Sequence, residues 1–287
     1  MPRLSVVIPT LGRRPDALAR VLAALPDDVE AIVAADAAAD DVSAETCRAA
    51  KPGAAAARNA GWRAASAELV LFLDDNVVPT SGLVDRHVTV HGREDDPAVA
   101  VLGHVRWAPE LNVTPFMRWL EQGPQFHYGS IAGDEAGWGH FHTANVSLRR
   151  AALEAVDGFD EETFPFHYED LDLARRLHDG PGLRLLYARD AVADHLHAVT
   201  LDEYADRVAA IAPAERRFVE RHPDVEPYFH RMFSEAARVP SGRGWGARLA
   251  PLVPERTPML GPATRERASL YYRQCLAPAF LDAWQAT

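Results

Sequence analysis

The sequence predicts an α/β fold: a mixed, mostly parallel sheet flanked by helices, followed by a helical C-terminal extension. Three observations predict it. Short runs of strand length alternate with segments of helical period. The runs are apolar throughout, as in strands covered on both faces. Beyond about residue 200 the strand pattern gives way to helical, Arg- and Glu-rich sequence. With 287 residues, 48% of them apolar and 25% charged, the chain can bury a sizeable core, so disorder is not the default.

In chain order, LSVVI (4–8) is the first strand, followed by a Pro/Thr/Gly loop and then by Leu18, Val21, Leu22 and Leu25 at helical spacing. EAIVAAD (30–36) is the second strand and ends in Asp36; a helix is expected over about 44–50. AAAARNAGWRAASA (54–67) reads as the helix feeding the third strand, LVLFL, which runs directly into Asp74, Asp75 and Asn76. Repeated strand–helix units imply right-handed crossovers, and ligands of such sheets gather at the carboxyl ends of the strands. Pro9, Thr10, Asp36, Asp74 and Asp75 therefore share one crevice. Downstream, AVAVLGHV (98–105) is a fourth strand, GWGHFHTANVSL (137–148) is irregular, and a helix begins near Arg150. YEDLDLARRLHD (168–179) is helical, LRLLYARDAVADHLH (183–197) reads as two short strands, and the Pro- and Gly-rich segment 239–262 interrupts the C-terminal helices.

The formal net charge of −11 argues against a nucleic-acid partner, whose phosphates need clustered Lys and Arg. Two cysteines, Cys47 and Cys275, are too few for a disulfide framework or a Cys-type zinc site and fit a reducing compartment. The first residues lack a signal-peptide pattern, and no apolar stretch approaches the roughly 20 residues of a membrane span. A cytoplasmic location is expected, with peripheral membrane contact left open.

Adjacent carboxylates at a strand end can hold Mg2+ or Mn2+, or can simply cap a following helix; the pair alone does not choose. An acidic protein that takes a diphosphate needs an intervening cation. Like unit charges about 4 Å apart repel by about 4 kcal/mol at an effective dielectric of about 20. Glu169 and Asp170 fall in the first turn of a helix, where unpaired N–H groups favour acids in any case. His195 and His197, two apart on a strand, share a face, and imidazole suits Mn2+. Trp138, His140 and His142 either offer aromatic faces to a sugar or fill the core.

The order SVVIPTLGR, AIVAAD, GAAAARNAG, LFLDDNVVP, TANVSLRRAALEAVDGFDE, YEDLDLARRL, AVADHLH resembles the family 2 glycosyltransferases, inverting enzymes of the GT-A fold, over roughly residues 3–197. The resemblance implies transfer of a sugar from a UDP, GDP or dTDP donor to a hydroxyl acceptor, whether a sugar, a lipid-linked group or a small molecule. It further implies Mn2+ or Mg2+ on Asp75 with His195 (His197 the alternative), the ribose on Asp74, and the base on Asp36. Pro9, Thr10, Arg58 and Asn59 would lie along the nucleotide, Asp170 would be the general base, and Glu169 would hold the acceptor; on the aromatic reading above, Trp138 with His140 and His142 lines the donor-sugar or acceptor pocket. The pattern departs from the family at Asn76, the third position of the acidic motif, and at Ala35, where the first acid of a pair is lost.

These residues divide the chain into a glycosyltransferase domain, 1–200, with a nucleotide-binding half (1–105) and an acceptor half (106–200), and a helical extension, 201–287. The extension lies outside the resemblance; acceptor cover or a homodimer through its helices is expected. Three rivals remain. A sugar-nucleotide pyrophosphorylase would open with a better phosphate loop than LGRRPDA. A metal-dependent hydrolase could use the same acids. A sugar-nucleotide-binding protein without turnover would explain Ala35.

Overall fold

In the computed structural model, which describes residues 2–40, 42, 44–240 and 261–287, the chain forms two compact units: Met1–Leu111 with Phe126–His197, and Asn112–Gln125 with Ala198–Thr287. The first contains the sheet. Its strands are β1 (Ser5–Thr10), β2 (Glu30–Ala35), β3 (Cys47–Arg48), β4 (Leu69–Leu73), β5 (Val77–Pro79), β6 (Val99–Trp107), β7 (Glu135–Ala136), β8 (Asn145–Arg149) and β9 (Arg184–His195). They lie in the order β3-β2-β1-β4-β8-β6-β9-β5, with β7 on β9. The β3-β2-β1-β4 half is parallel. Strand β8 runs antiparallel between β4 and β6, and β6 pairs in parallel with β9.

Helices α1 (Pro15–Ala23), α2 (Ala54–Ala64), α3 (Leu83–His91), α5 (Arg150–Ala155) and α6 (Glu169–Asp179) belong to this unit. Val6, Val7, Ile8, Val70, Leu71, Phe72 and Leu73 are fully buried, which is why those strands are apolar without alternation. Because β2 lies on one side of β1 and β4 on the other, the strand order reverses there and three carboxyl ends open one crevice. The β1–β4 ladder ends at Val7 and Phe72. Pro9, which has no N–H, therefore leaves no ladder bond open on that side.

Two sequence expectations are corrected. The segment expected as a helix over 44–50 instead contributes β3, in register with Ala34 and Ala35. Thr46 N–H donates to Val33 O at 2.9 Å and Ala49 N–H to Ala35 O at 2.8 Å. The open edge of β2 supplies this segment with backbone partners directly, and those bonds take the place of a helical turn. The two strands expected over 183–197 are one, β9, interrupted by a bulge: Gly103 and His104 of β6 pair with Ala188 and Val192. The extra residues loop out and the ladder resumes. Of the segment 239–262, residues 241–260 lie outside the described residues.

The second unit consists of α4 (Pro115–Glu121), α7 (Leu201–Arg221), α8 (Tyr228–Arg238) and α9 (Gly261–Ala286). Thr114 caps α4, accepting from Met117 N–H at 3.2 Å. Thr200 and Glu203 form a reciprocal capping box at the start of α7. Rings hold the unit together: Phe116 lies 5.8 Å from Tyr204 and 5.1 Å from Tyr272, and Phe233 lies 5.1 Å from Phe280. That aromatic contact groups α4, distant in sequence, with the C-terminal helices. Among the described residues no helix is long and apolar enough to cross a membrane.

Candidate active site

The acids at the end of β4 do not cap a helix. Val77 N–H donates to Asp74 O at 3.1 Å and the chain turns directly into β5. Adjacent in sequence, the two carboxylates serve different partners. Asp75 is 7% exposed; its Oδ2 accepts from Thr10 Oγ1 at 2.7 Å, and Arg14 Nη1 lies 3.5 Å from its Oδ1. Burial pushes the Asp75 carboxyl above its usual range, and the Thr10 hydrogen bond and the Arg14 charge partly restore it. Asp74 is more open and bonds Arg58 Nη2 at 3.1 Å.

Arg58 is the hub. Its other nitrogen, Nη1, meets Glu169 Oε1 at 2.7 Å. Burial works against its charge, but Glu169, Asp74 and Asp170 together outweigh burial and hold it protonated. Glu169 and Asp170 are both pushed up by burial, with Arg58 opposing. Among the described residues Glu169 Oε2 is buried with no hydrogen-bond partner, as is Arg58 Nε. Asp170 Oδ1 accepts from Leu171 N–H at 2.9 Å. The approach to α6 is strained: His167 (φ 59°) and Tyr168 (φ 63°) sit consecutively in the left-handed region. That costs on the order of 1–3 kcal/mol per residue and sets where the first turn of α6 presents its acids.

Asp36 and Asn59 are tied into the scaffold. Asp36, 2% exposed, accepts from Ala38 N–H at 2.7 Å and from Gly53 N–H at 2.6 Å. Gly53 precedes α2 at φ 139°, and a Cβ there would come 2.8 Å from Pro165 O, so only glycine fits. Asp36 thereby holds the amino end of the helix that carries Arg58. Asn59 makes three bonds within the protein, to Phe159 O (2.8 Å), Phe159 N (3.0 Å) and Trp62 Nε1 (2.8 Å). Trp138 lies in a 3-10 turn beneath Arg175 of α6, the guanidinium carbon 5.5 Å from the ring centre. His140 pairs with Ser130 Oγ at 2.8 Å, and His142 lies edge-on to Tyr128.

His195, 9% exposed at the end of β9, has Asn76 Nδ2 3.5 Å from its Nε2 and packs edge-on against Trp107, with His197 beside it. Asp75 is engaged with Thr10 and Arg14. Among the described residues no three His, Cys, Asp or Glu side chains converge into a group able to hold an ion by themselves. The donor types nonetheless fit a divalent cation: carboxylate oxygens, a carboxamide and an imidazole at one end of the sheet, to be completed by phosphate oxygens from a ligand. Sequence reasoning missed Arg14 and the Asn76–His195 contact. The RR of LGRRPDA, directly after β1, was the available signal for the first; nothing local signals the second.

A profile described as glycosyltransferase-like family 2 matches residues 2–211. The chain belongs to that family. Within it, the chain is 29% identical over 271 residues to validoxylamine A glucosyltransferase of Streptomyces hygroscopicus subsp. limoneus, covering 79% of this chain and 58% of that protein. It is 28% identical over 182 residues to the pre-mycofactocin glycosyltransferase of Mycobacterium tuberculosis (strain CDC 1551 / Oshkosh), covering 60% of this chain and 36% of that one. The chain thus spans little more than half, or less, of these relatives. Among solved structures, mannosyltransferase PcManGT from Pyrobaculum calidifontis, in complex with GDP-Man and Mn2+, matches with a TM-score of 0.58 at 18% identity, covering 100% of this chain and 88% of that one. S. aureus TarS 1-349 in complex with UDP matches at 0.53 and 17%, covering 100% and 91%. These likenesses establish the GT-A fold of this family 2 member, with its helices C-terminal to the sheet.

Proposed function

We propose that the chain transfers a sugar from a nucleoside-diphosphate sugar to an acceptor hydroxyl, with inversion at the anomeric carbon. One observation carries the reading: Arg58 joins Asp74, at the end of a central parallel strand, to Glu169, beside Asp170 in the first turn of α6. The residues suited to a donor and those suited to an acceptor are thus tied into one charged cluster. Family membership and relatives named as glycosyltransferases support it, as do solved neighbours holding UDP or GDP-Man.

Asp170 accepts the proton of the acceptor hydroxyl as its oxygen attacks the anomeric carbon from the face opposite the diphosphate; a positioned carboxylate contributes roughly 100- to 10,000-fold. Glu169, with one oxygen on Arg58 and the other without a partner, offers a hydrogen-bond acceptor to a second acceptor hydroxyl. Asp74 takes the ribose, while Pro9, Thr10 and the loop pinned by Asp36 border the nucleotide. Asp75 with His195, and Asn76 beside it, would hold a Mn2+ or Mg2+ ion, which when bound supplies Lewis-acid stabilisation to the departing diphosphate. Trp138 borders the donor sugar.

Calorimetry with UDP, GDP and dTDP, with and without Mn2+, combined with acceptor-dependent release of nucleoside diphosphate, tests the proposal. Binding of one nucleotide, strengthened by Mn2+, and release only with acceptor are expected; release without acceptor would indicate a hydrolase. A second reading, a sugar-nucleotide-binding protein without turnover, draws on Ala35 and on the engagement of both Asp36 oxygens with backbone. Nucleotide binding with no release under any acceptor would favour it.

A further inference from the structure

Among the described residues two arginines pair with the acids at the end of β4, and they are held differently. The Arg58 side chain is 6% exposed and fixed from both sides, with Nη2 on Asp74 at 3.1 Å and Nη1 on Glu169 at 2.7 Å. The Arg14 side chain is 47% exposed and meets Asp75 at one point, Nη1 lying 3.5 Å from Oδ1. Its backbone, by contrast, is anchored. Thr10 Oγ1 accepts from Gly12 N–H at 3.0 Å while donating to Asp75 Oδ2 at 2.7 Å, and Leu18 N–H donates to Arg14 O at 3.0 Å. The loop after β1 is therefore fixed against Asp75, and the Arg14 guanidinium reaches the carboxylate from its solvent side.

That placement sets two cations against each other. Asp75 Oδ2 accepts the Thr10 hydroxyl, and Oδ1, the oxygen left to an ion, is the atom Arg14 faces. A guanidinium has donors only and offers an ion no lone pair. Its positive charge also repels the ion at contact distance. The two do not share Oδ1, so an ion that takes it must displace Arg14, and the displaced charge needs another anion within reach. A diphosphate suits both. Guanidinium groups fork onto phosphate oxygens in pairs, and the same oxygens are hard ligands for Mg2+ or Mn2+. Half exposed and held at one point, the Arg14 head can turn while its backbone stays.

We propose that Arg14 couples the two ligands of this site: it serves Asp75 as counter-ion and yields the carboxylate to a divalent cation when a nucleoside diphosphate takes the guanidinium. The inference rests on the transferase reading above, with Asp75 as a metal ligand, and adds that each ligand strengthens the other through Arg14. The strengthening is reciprocal.

Electron paramagnetic resonance of free Mn2+ measures the affinity of the full chain for the ion alone. Calorimetry with UDP, GDP and dTDP, in EDTA and in saturating Mn2+, measures the coupling. In Arg14→Gln and Arg14→Ala, Mn2+ alone binds about tenfold tighter than in the parent, and the factor by which Mn2+ strengthens the nucleotide falls about tenfold. Adding Asp75→Asn abolishes the gain, and an unchanged Tm shows that the fold is kept. Arg14→Lys, which keeps the charge, stays near the parent in both measurements. Arg13→Gln removes an equal charge one residue away and leaves both within about twofold of the parent, since exposed charges are screened. Mn2+ binding to Arg14→Gln and Arg14→Ala no tighter than to the parent, or an equal change in Arg13→Gln, would overturn the proposal and leave the metal reading standing. An absence of any Mn2+ effect on nucleotide binding, in parent and variants alike, would remove both.

Discussion

Two buried glutamates, one in each unit, show how differently a fold treats the same side chain. Glu215 of α7 is 0% exposed, and both its oxygens accept backbone N–H groups at the amino end of α8: Phe229 at 2.8 Å and His230 at 2.8 Å. Since α8 has no side-chain cap of its own, Glu215 supplies one from a neighbouring helix. Glu169 is 7% exposed and half-satisfied, with Oε1 on Arg58 and Oε2 without a partner among the described residues. The first carboxylate is scaffold, its hydrogen-bonding capacity spent inside the protein. The second belongs to a cluster in which Asp74, Glu169 and Asp170 share one arginine, a charge excess that folding alone does not favour. An unspent acceptor beside unneutralised charge is what a ligand could complete.

The largest effect should come from Asp170→Asn. It removes the proposed base and leaves the shape, so transfer should fall roughly 100- to 10,000-fold while nucleotide affinity and Tm hold. Lost nucleotide binding with an intact fold would move Asp170 out of that role. Because burial lifts Asp170, the acidic limb of kcat/KM should lie above pH 4, near which an ordinary aspartate titrates. Arg58→Met comes next. With the guanidinium gone, Glu169 and Asp74 lose their counter-charge, costing about 3–5 kcal/mol less whatever the acids recover by taking up protons. Arg58 favours the ionised form of Asp170, so the acidic limb should move to higher pH in this variant; an unmoved limb would uncouple the two.

How much of this was legible follows one physical line. Strands β1, β2 and β4 and helices α2 and α6 were readable because period and composition are local. Asp74, Arg58 and Glu169, singled out in sequence, do meet in space. What escaped depends on partners far along the chain. Cys47 is a strand residue only because β2 offers it an edge. Asp36 and Asn59 spend their bonds 17 and 100 residues away. The contact of Asn76 with His195 spans 119 residues. No window-sized pattern carries such pairings, and the ring contacts that draw α4 to the C-terminal helices are equally invisible.

A second buried polar cluster in the first unit sharpens the contrast, because it is neutral. His91 Nε2–H donates to Ser147 Oγ (2.9 Å), Ser147 Oγ–H to His87 Nδ1 (2.8 Å), His87 Nε2–H to Asn145 Oδ1 (2.9 Å), and Asn145 Nδ2 to Ala191 O (3.0 Å). The amide orientation of Asn145 fixes both tautomers. Asn145 fits because a Cβ at Gly103 would come 2.2 Å from its Nδ2. Burial lowers His87 to about 3, helped by the charge of His91, and lowers His91 to about 4, helped by Arg149. Near pH 6.5 and below, the unfolded chain binds these protons and the folded chain does not, so stability is lost as pH falls through that window. From pH 6.5 to 4 the loss should reach about 3 kcal/mol for His87. Asp75, Glu169 and Asp170, raised in the fold, act in the opposite sense. Chemical denaturation of His87→Gln against the parent at pH 7 and pH 5 isolates the histidine: the gap between them should narrow in acid, and a constant gap would show the ring is not held neutral.

The smallest effect tests the opening contrast directly. In Glu215→Gln one carboxylate oxygen becomes an NH2 that faces a backbone N–H, donor against donor, and the charge opposite the α8 dipole is lost. Stability should fall by about 1–3 kcal/mol at pH 7, with nucleotide binding in the other unit untouched. In Glu169→Gln the amide oxygen still accepts from Arg58, and the NH2 takes the position whose oxygen already lacked a partner. Removing one of three acids around a single arginine relieves like-charge repulsion, so stability should hold or rise while transfer falls. If Glu169→Gln proves the more destabilising of the two, the unpartnered oxygen is part of the scaffold after all, and the distinction between spent and unspent carboxylates does not mark the site.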